Sequence, residues 1–205
     1  MNVLVNKFPT KTVIDGKEYN LCTDFRVCLK IILAFEDKEL LDADKIEVLL
    51  ENLYGADNIP ANLEKAVEKA VLFLDCGEVD EGKATGEAGY KLYSFSQDAK
   101  YIYSAIKQTH GIDLENIEYL HWWKFVYLFL DLNPECFFCK MLDLRNKKKK
   151  GKLSKEEQAI YLKLFDILEL DNEPKYSEEE QAQIDKFKDL INMSESEVGT
   201  ENEVK

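Results

Sequence analysis

No stretch of the chain has the roughly 20 consecutive apolar residues that a membrane helix needs. The opening MNVLVNKFP also lacks the apolar core and small-residue cleavage site of an export signal. A protein kept in a cytoplasm is therefore expected. Phosphate-cradling loops of the P-loop or GxGxxG kind are missing, as is a serine or cysteine nucleophile motif, so nucleotide binding and nucleophilic hydrolysis have no signature here. Positive charge is scarce: 27 Lys and Arg stand against 40 Asp and Glu, a formal charge of −13. That balance argues against nonspecific adhesion to nucleic acid or anionic lipid and favours a basic or uncharged partner. Cysteines number five, an odd count without an export signal, and read as reduced, mostly buried thiols. None of these patterns requires a cofactor.

What is present is mostly helix-periodic. Val13–Tyr19 places Asp15-Gly16 between short β-favouring runs, the strongest short signal for a hairpin. Thr23 or Asp24 can cap a helix bearing Phe25, Leu29, Ile32 and Leu33, and a second runs from about Asp42 to Gly55. Pro60, read as a first-turn proline, opens a third that ends at Gly77. Residues 77–92 hold four glycines and read as a flexible linker. Ser94 and Gln97 have capping-box spacing, which predicts a helix from Ser94 to His110 closed by Gly111. Asp113 is expected to cap the next helix, apolar nearly all round from Tyr119 and stopped by Asn133-Pro134. A short helix from about Glu135 to Arg145 follows. Ser154 with Glu157, and Ser177 with Glu180, open a C-terminal helical pair over 153–191. The expected architecture is mainly α, a multi-helix bundle with a small N-terminal β-hairpin. Residues 1–76 supply the hairpin and three helices, 93–146 supply central aromatic helices packed on them, and 192–205 form a disordered acidic tail.

Several residues look chemical. Cys136-Phe-Phe-Cys139, with His121 upstream, has the spacing of two zinc ligands but no second pair to complete a site, so buried thiols are the plainer reading. His121 could act as a general base; without a nucleophile motif beside it, a hydrogen-bonded packing role is favoured. His110 suits the carbonyls at a helix C-terminus, Asp98 the positive end of its helix dipole, and Asp113 a cap. Six basic residues in 145–152 stand without interleaved aromatics and read as a solvated turn rather than a nucleic-acid site. Trp122 and Trp123 point about 100° apart on a helix. One can enter the core while the other becomes a candidate partner-contact residue.

YSFSQDAKYIYSAI from Tyr93, GIDLENIEYLHWWKF from Gly111, a helix ending at Arg145 and the TDFR of Thr23 to Arg26 together resemble the bacteriophage gene-product-fifteen family over residues 9–170. Ile106 and the QTHG turn depart from its usual aromatic and tyrosine-glycine positions, which alters packing. The resemblance implies a non-enzymatic product of the tail module, a chaperone in the host cytoplasm that binds the tape-measure protein or the major tail protein. It transfers no catalytic residue and leaves an oligomer open. The rival expectations are a structural component kept in the virion tail and a small metal-dependent enzyme using His121, Cys136 and Cys139.

Overall fold

Asp15 and Gly16 both take positive φ, 49° and 79°. This is the type I′ turn that matches the twist of a two-residue hairpin. It joins β1 (Lys11–Ile14) to β2 (Lys17–Asn20) in antiparallel register, Ile14 opposite Lys17 and Lys11 opposite Asn20. Period-two alternation sends Ile14 and Tyr19 into the core. The Asp15 carboxylate accepts from Asn62 Nδ2 at 2.9 Å and from Lys65 Nζ, fixing the turn to a later helix. The computed structural model describes residues 2–78 and 91–170, and among these the fold is mainly α with this one hairpin.

Helices α1 (Phe25–Glu36), α2 (Asp42–Tyr54) and α3 (Leu63–Leu74) follow the hairpin. Asp24 caps α1 by accepting from Arg26 N at 2.9 Å. Helix α3 begins later than Pro60 suggests: Asn62 is the capping residue and Pro60 is buried ahead of the helix. Leu49, Leu53, Ala66 and Ala70 are fully enclosed between α2 and α3, and Tyr54 donates its hydroxyl to Ala66 O at 2.8 Å. Small alanines let the two helices approach closely. Burial pushes the Tyr54 phenol up to about 12.

The second half differs most from expectation. Helix α4 (Ala99–His110) starts after a turn at 95–98 rather than at Ser94, although Ser94 Oγ does accept from Gln97 N at 3.2 Å. Residues 112–121 are not helical at all, and α5 is short, Trp122–Leu130. The cause is tertiary. The Arg26 guanidinium takes Leu114 O at 2.8 Å and Ile117 O at 2.7 Å, carbonyls a helix would have used itself. Then Phe25 N donates to Leu120 O at 2.9 Å and Trp122 N to Thr23 O at 2.8 Å, pairing the two chains as an antiparallel bridge. Helices α1 and α5 thus start side by side, each satisfying a backbone donor of the other. Phe25 and Phe125 stack behind that pairing at 5.1 Å.

Helix α6 (Phe137–Lys149) runs four residues past Arg145, so most of the lysine run is helical rather than a turn. Helices α7 (Lys155–Lys163) and α8 (Phe165–Leu168) close the described chain. The Ser154–Glu157 capping box forms in both directions, at 3.1 and 2.9 Å. One core spans both sides of residues 79–90, from Ile14 to Phe138; Met141, Tyr161 and Leu168 form a smaller cluster beneath α7 and α8. No described helix is long and apolar enough to cross a membrane. Most of the Gly-rich linker, the expected Ser177 helix and the acidic tail lie outside the described residues.

Phe125 is 1% exposed between Phe25, Phe95 and Trp122. Phe125→Ala is expected to cost about 3–5 kcal/mol in urea unfolding, whereas Val13→Thr on the exposed hairpin face stays within about 0.5 kcal/mol.

Candidate functional site

The two tryptophans lie at the C-terminus of α3, where four carbonyls lack helical partners. Cys76, with φ 57°, and Gly77, with φ 78°, turn the chain so that Gly77 N donates to Leu72 O at 2.8 Å and Cys76 N to Phe73 O at 3.1 Å. These are the two bonds of a Schellman ending. The indoles complete it: Trp123 Nε1 donates to Phe73 O and Trp122 Nε1 to Leu74 O, both at 2.8 Å. Adjacent tryptophans therefore reach adjacent carbonyls of the same helix end. Both are buried, at 3% and 5% exposure. The sequence offered one of them as a partner-contact residue; in the fold each ring lies inside, its polar edge bonded to a carbonyl of α3. A Cβ on Gly77 would come within 3.1 Å of the Trp123 ring, a second reason for glycine there.

His121 caps α5. Its Nδ1 accepts from Trp123 N at 3.1 Å and its Nε2 faces Pro9 O at 3.0 Å. A carbonyl only accepts, so Nε2 carries the proton and the imidazole is neutral. Burial lowers its pKa, opposed in part by the bond to Pro9. Phe8 and Phe73 pack on the ring at 5.0 and 5.9 Å. Both nitrogens are committed, which fits the packing role and leaves no lone pair for a base. His110 does meet a carbonyl, but that of Leu128 on α5 at 2.8 Å rather than its own helix.

Asp98 does stand at the N-terminus of α4, in its capping position, but the sequence did not show its partner: it is 1% exposed and paired with Arg145, itself 4% exposed. The contact is a two-pronged fork, Nη1 to Oδ2 at 2.7 Å and Nη2 to Oδ1 at 2.9 Å. Arg145 Nε also donates to Leu168 O at 2.7 Å, Nη1 to Leu92 O at 3.0 Å and Nη2 to Ile167 O at 2.9 Å, so all five guanidinium protons are engaged. The signal that could have found it is positional: Phe138, Met141 and Arg145 share one stripe of α6, so an arginine occupies an inward place. Glu36, also missed, accepts from Ser94 Oγ at 2.7 Å, Phe95 N at 3.1 Å and Ser96 N at 3.0 Å, and pairs with Lys91 at 2.7 Å. Burial alone would raise its pKa, but these bonds outweigh it and hold the carboxyl below the usual value.

Asp113 caps no helix. Lys107 Nζ at 2.9 Å and Tyr103 Oη at 2.7 Å hold it well below the ordinary carboxylate range, as a brace between α4 and the following loop. Cys136 is buried at the start of α6, its Sγ accepting from Cys139 N at 3.5 Å. Burial, then the contact with Cys136, pushes Cys139 up to about 11, the protonated and unreactive side of the thiol range. Among the described residues no three His, Cys, Asp or Glu side chains converge as a metal site would need. Of the basic run, Lys147 pairs with Asp143 and Glu157, both at 2.7 Å, and Lys148 with Glu169.

Trp122→Phe keeps a ring but removes the donor to Leu74 O; it is expected to lower stability by about 1–3 kcal/mol in denaturant titration. For His121 the unfolded pKa exceeds the folded one, so the unfolded chain takes up more protons below about pH 6.5. The stability from neutral His121 is full above that pH and falls as the solution is acidified, by at most about 1.4 kcal/mol per unit. Thermal unfolding of His121→Asn, which keeps a capping acceptor, should show a gap to the natural chain that narrows from pH 7.5 to 5.5. A constant gap would show that the imidazole does not titrate with unfolding.

No curated protein and no solved structure matches the chain. The family model described as Bacteriophage Gp15 protein matches residues 4–170, from ahead of the hairpin to the end of α8. That span holds the TDFR cap and its Arg26 fork, the Asp98–Arg145 pair and the His121-Trp122-Trp123 closure of α3. The chain belongs to the bacteriophage Gp15 protein family.

Proposed function

We propose that this phage protein is a non-enzymatic tail assembly factor, a chaperone that engages the tape-measure protein or the major tail protein in the infected host. The family match over residues 4–170 carries the reading. The disposition of the polar side chains supports it: His121, Cys136, Asp98 and Asp113, the groups a hydrolytic or metal-dependent mechanism would use, are each committed to a cap, an ion pair or a brace. The formal charge of −13 suits a partner with basic segments.

Inactivating the gene in its phage or prophage tests the role. The expected particles are DNA-filled heads without tails, restored by the protein supplied in trans, and mass spectrometry of normal virions finds no stoichiometric peptides from it. Full-length tails in its absence would overturn the assembly role. Stoichiometric peptides in purified tails would replace the chaperone with a structural component.

A further inference from the structure

Residues 91–98 are held from two directions. Glu36, the last residue of α1, grips Lys91, Ser94, Phe95 and Ser96. Arg145, from α6, grips Leu92 O and Asp98 on the same stretch, and Ile167 O and Leu168 O at the end of α8. Ser94 joins the two grips, since its Oγ donates to Glu36 while its N–H donates to Asp98 Oδ2 at 3.1 Å. One polar network thus runs from the end of α1 to the end of α8 through a single strap.

We propose that this strap couples the two ends: seating of residues 91–98 on Glu36 is a condition for docking of α8 on α6. The reason is electrostatic. Arg145 is 4% exposed, and a buried guanidinium is tolerated only while its counter-charge and acceptors stay in place. Lifting the strap removes Asp98 and Leu92 O together. Two neutral carbonyls do not compensate the charge, so Arg145 must turn to solvent and release Ile167 and Leu168 as it goes. The network is all-or-none for that reason, while the hairpin and α1 to α3 rest on the apolar core, which the strap joins only at its edge through half-buried Tyr93 and Phe95. A partner that displaces the strap would therefore loosen the C-terminal turn without unfolding the N-terminal half. This coupling does not depend on the assembly role.

Amide hydrogen exchange of the full chain at neutral pH tests it with Glu36→Gln and Glu36→Ala. The reporters are the amides of Ile167, Leu168 and Glu169, bonded to Leu164 O and Phe165 O, and that of Asp98, bonded to Ser94 O. Both groups should exchange at least about tenfold faster in Glu36→Ala, the loss of several charge-assisted bonds, and by less in Glu36→Gln. Amides within α2 should hold their natural rates. Faster exchange at 94–98 with Ile167 to Glu169 unchanged would overturn the coupling, as would equal acceleration in α2, which signals general destabilisation, or no change at all in Glu36→Ala. Linkage is reciprocal, so Arg145→Lys, which keeps the charge but loses the fork, should speed exchange at Ser96.

Discussion

Three helix ends meet in the middle of this protein, and each brings backbone groups that water cannot reach. The C-terminus of α3 and the N-termini of α1 and α5 all lie against Trp122, Phe25 and Phe125. An unpaired buried carbonyl or amide costs about as much as a single domain can spare from its net stability. The solution uses the neighbours' own groups. The starts of α1 and α5 exchange backbone bonds, His121 caps the next amide, and two indoles close α3. Apolar packing alone would have driven these helices together, but only this set of donors and acceptors allows them to terminate where they do.

The parts of the fold legible in the sequence are those decided locally. The Asp15-Gly16 turn, the Asp24 cap and the Ser154–Glu157 box depend on residues no more than three apart, and each forms as its spacing predicts. Residues 112–121 have the composition of a helix and fail to become one because Arg26, nearly ninety positions earlier, draws off their carbonyls. Arg145 and Asp98 were separately visible as charges, yet nothing local marks them as one buried pair. The lysine run looked like a solvated turn because its counter-charges, Glu157 and Glu169, follow on other elements. For residues 112–121 and the Asp98–Arg145 pair the cause is the same: a partner distant in sequence outweighs a local propensity of a few tenths of a kcal/mol per residue.

The LHWWKF segment, inside the span that the family model matches, is the one that performs this closure. His121, Trp122 and Trp123 could look like a binding epitope from sequence, since tryptophan is common in hot spots. Their burial shows another reason for the same residues. A tryptophan combines a large apolar surface with one N–H in a fixed direction, which is what a carbonyl at the end of a buried helix requires. Phenylalanine would fill the space and tyrosine would place its donor at the far tip of the ring.

If the proposed assembly role holds, its binding surface is to be sought among residues not committed to closure. Val71 on α3, Leu130 at the end of α5 and Leu162 on α7 are apolar and exposed, at 46%, 73% and 67%. Single exposed apolar residues are ordinary on any protein surface, so none of these marks an interface by itself. What distinguishes the arrangement is the contrast with the described interior, where His121, Trp122, Trp123, Asp98 and Arg145 are occupied in holding the chain together. Recognition of the kind proposed would then rest on the shape and charge of the surface, and the acidic balance of the whole chain sets the sign of its net charge.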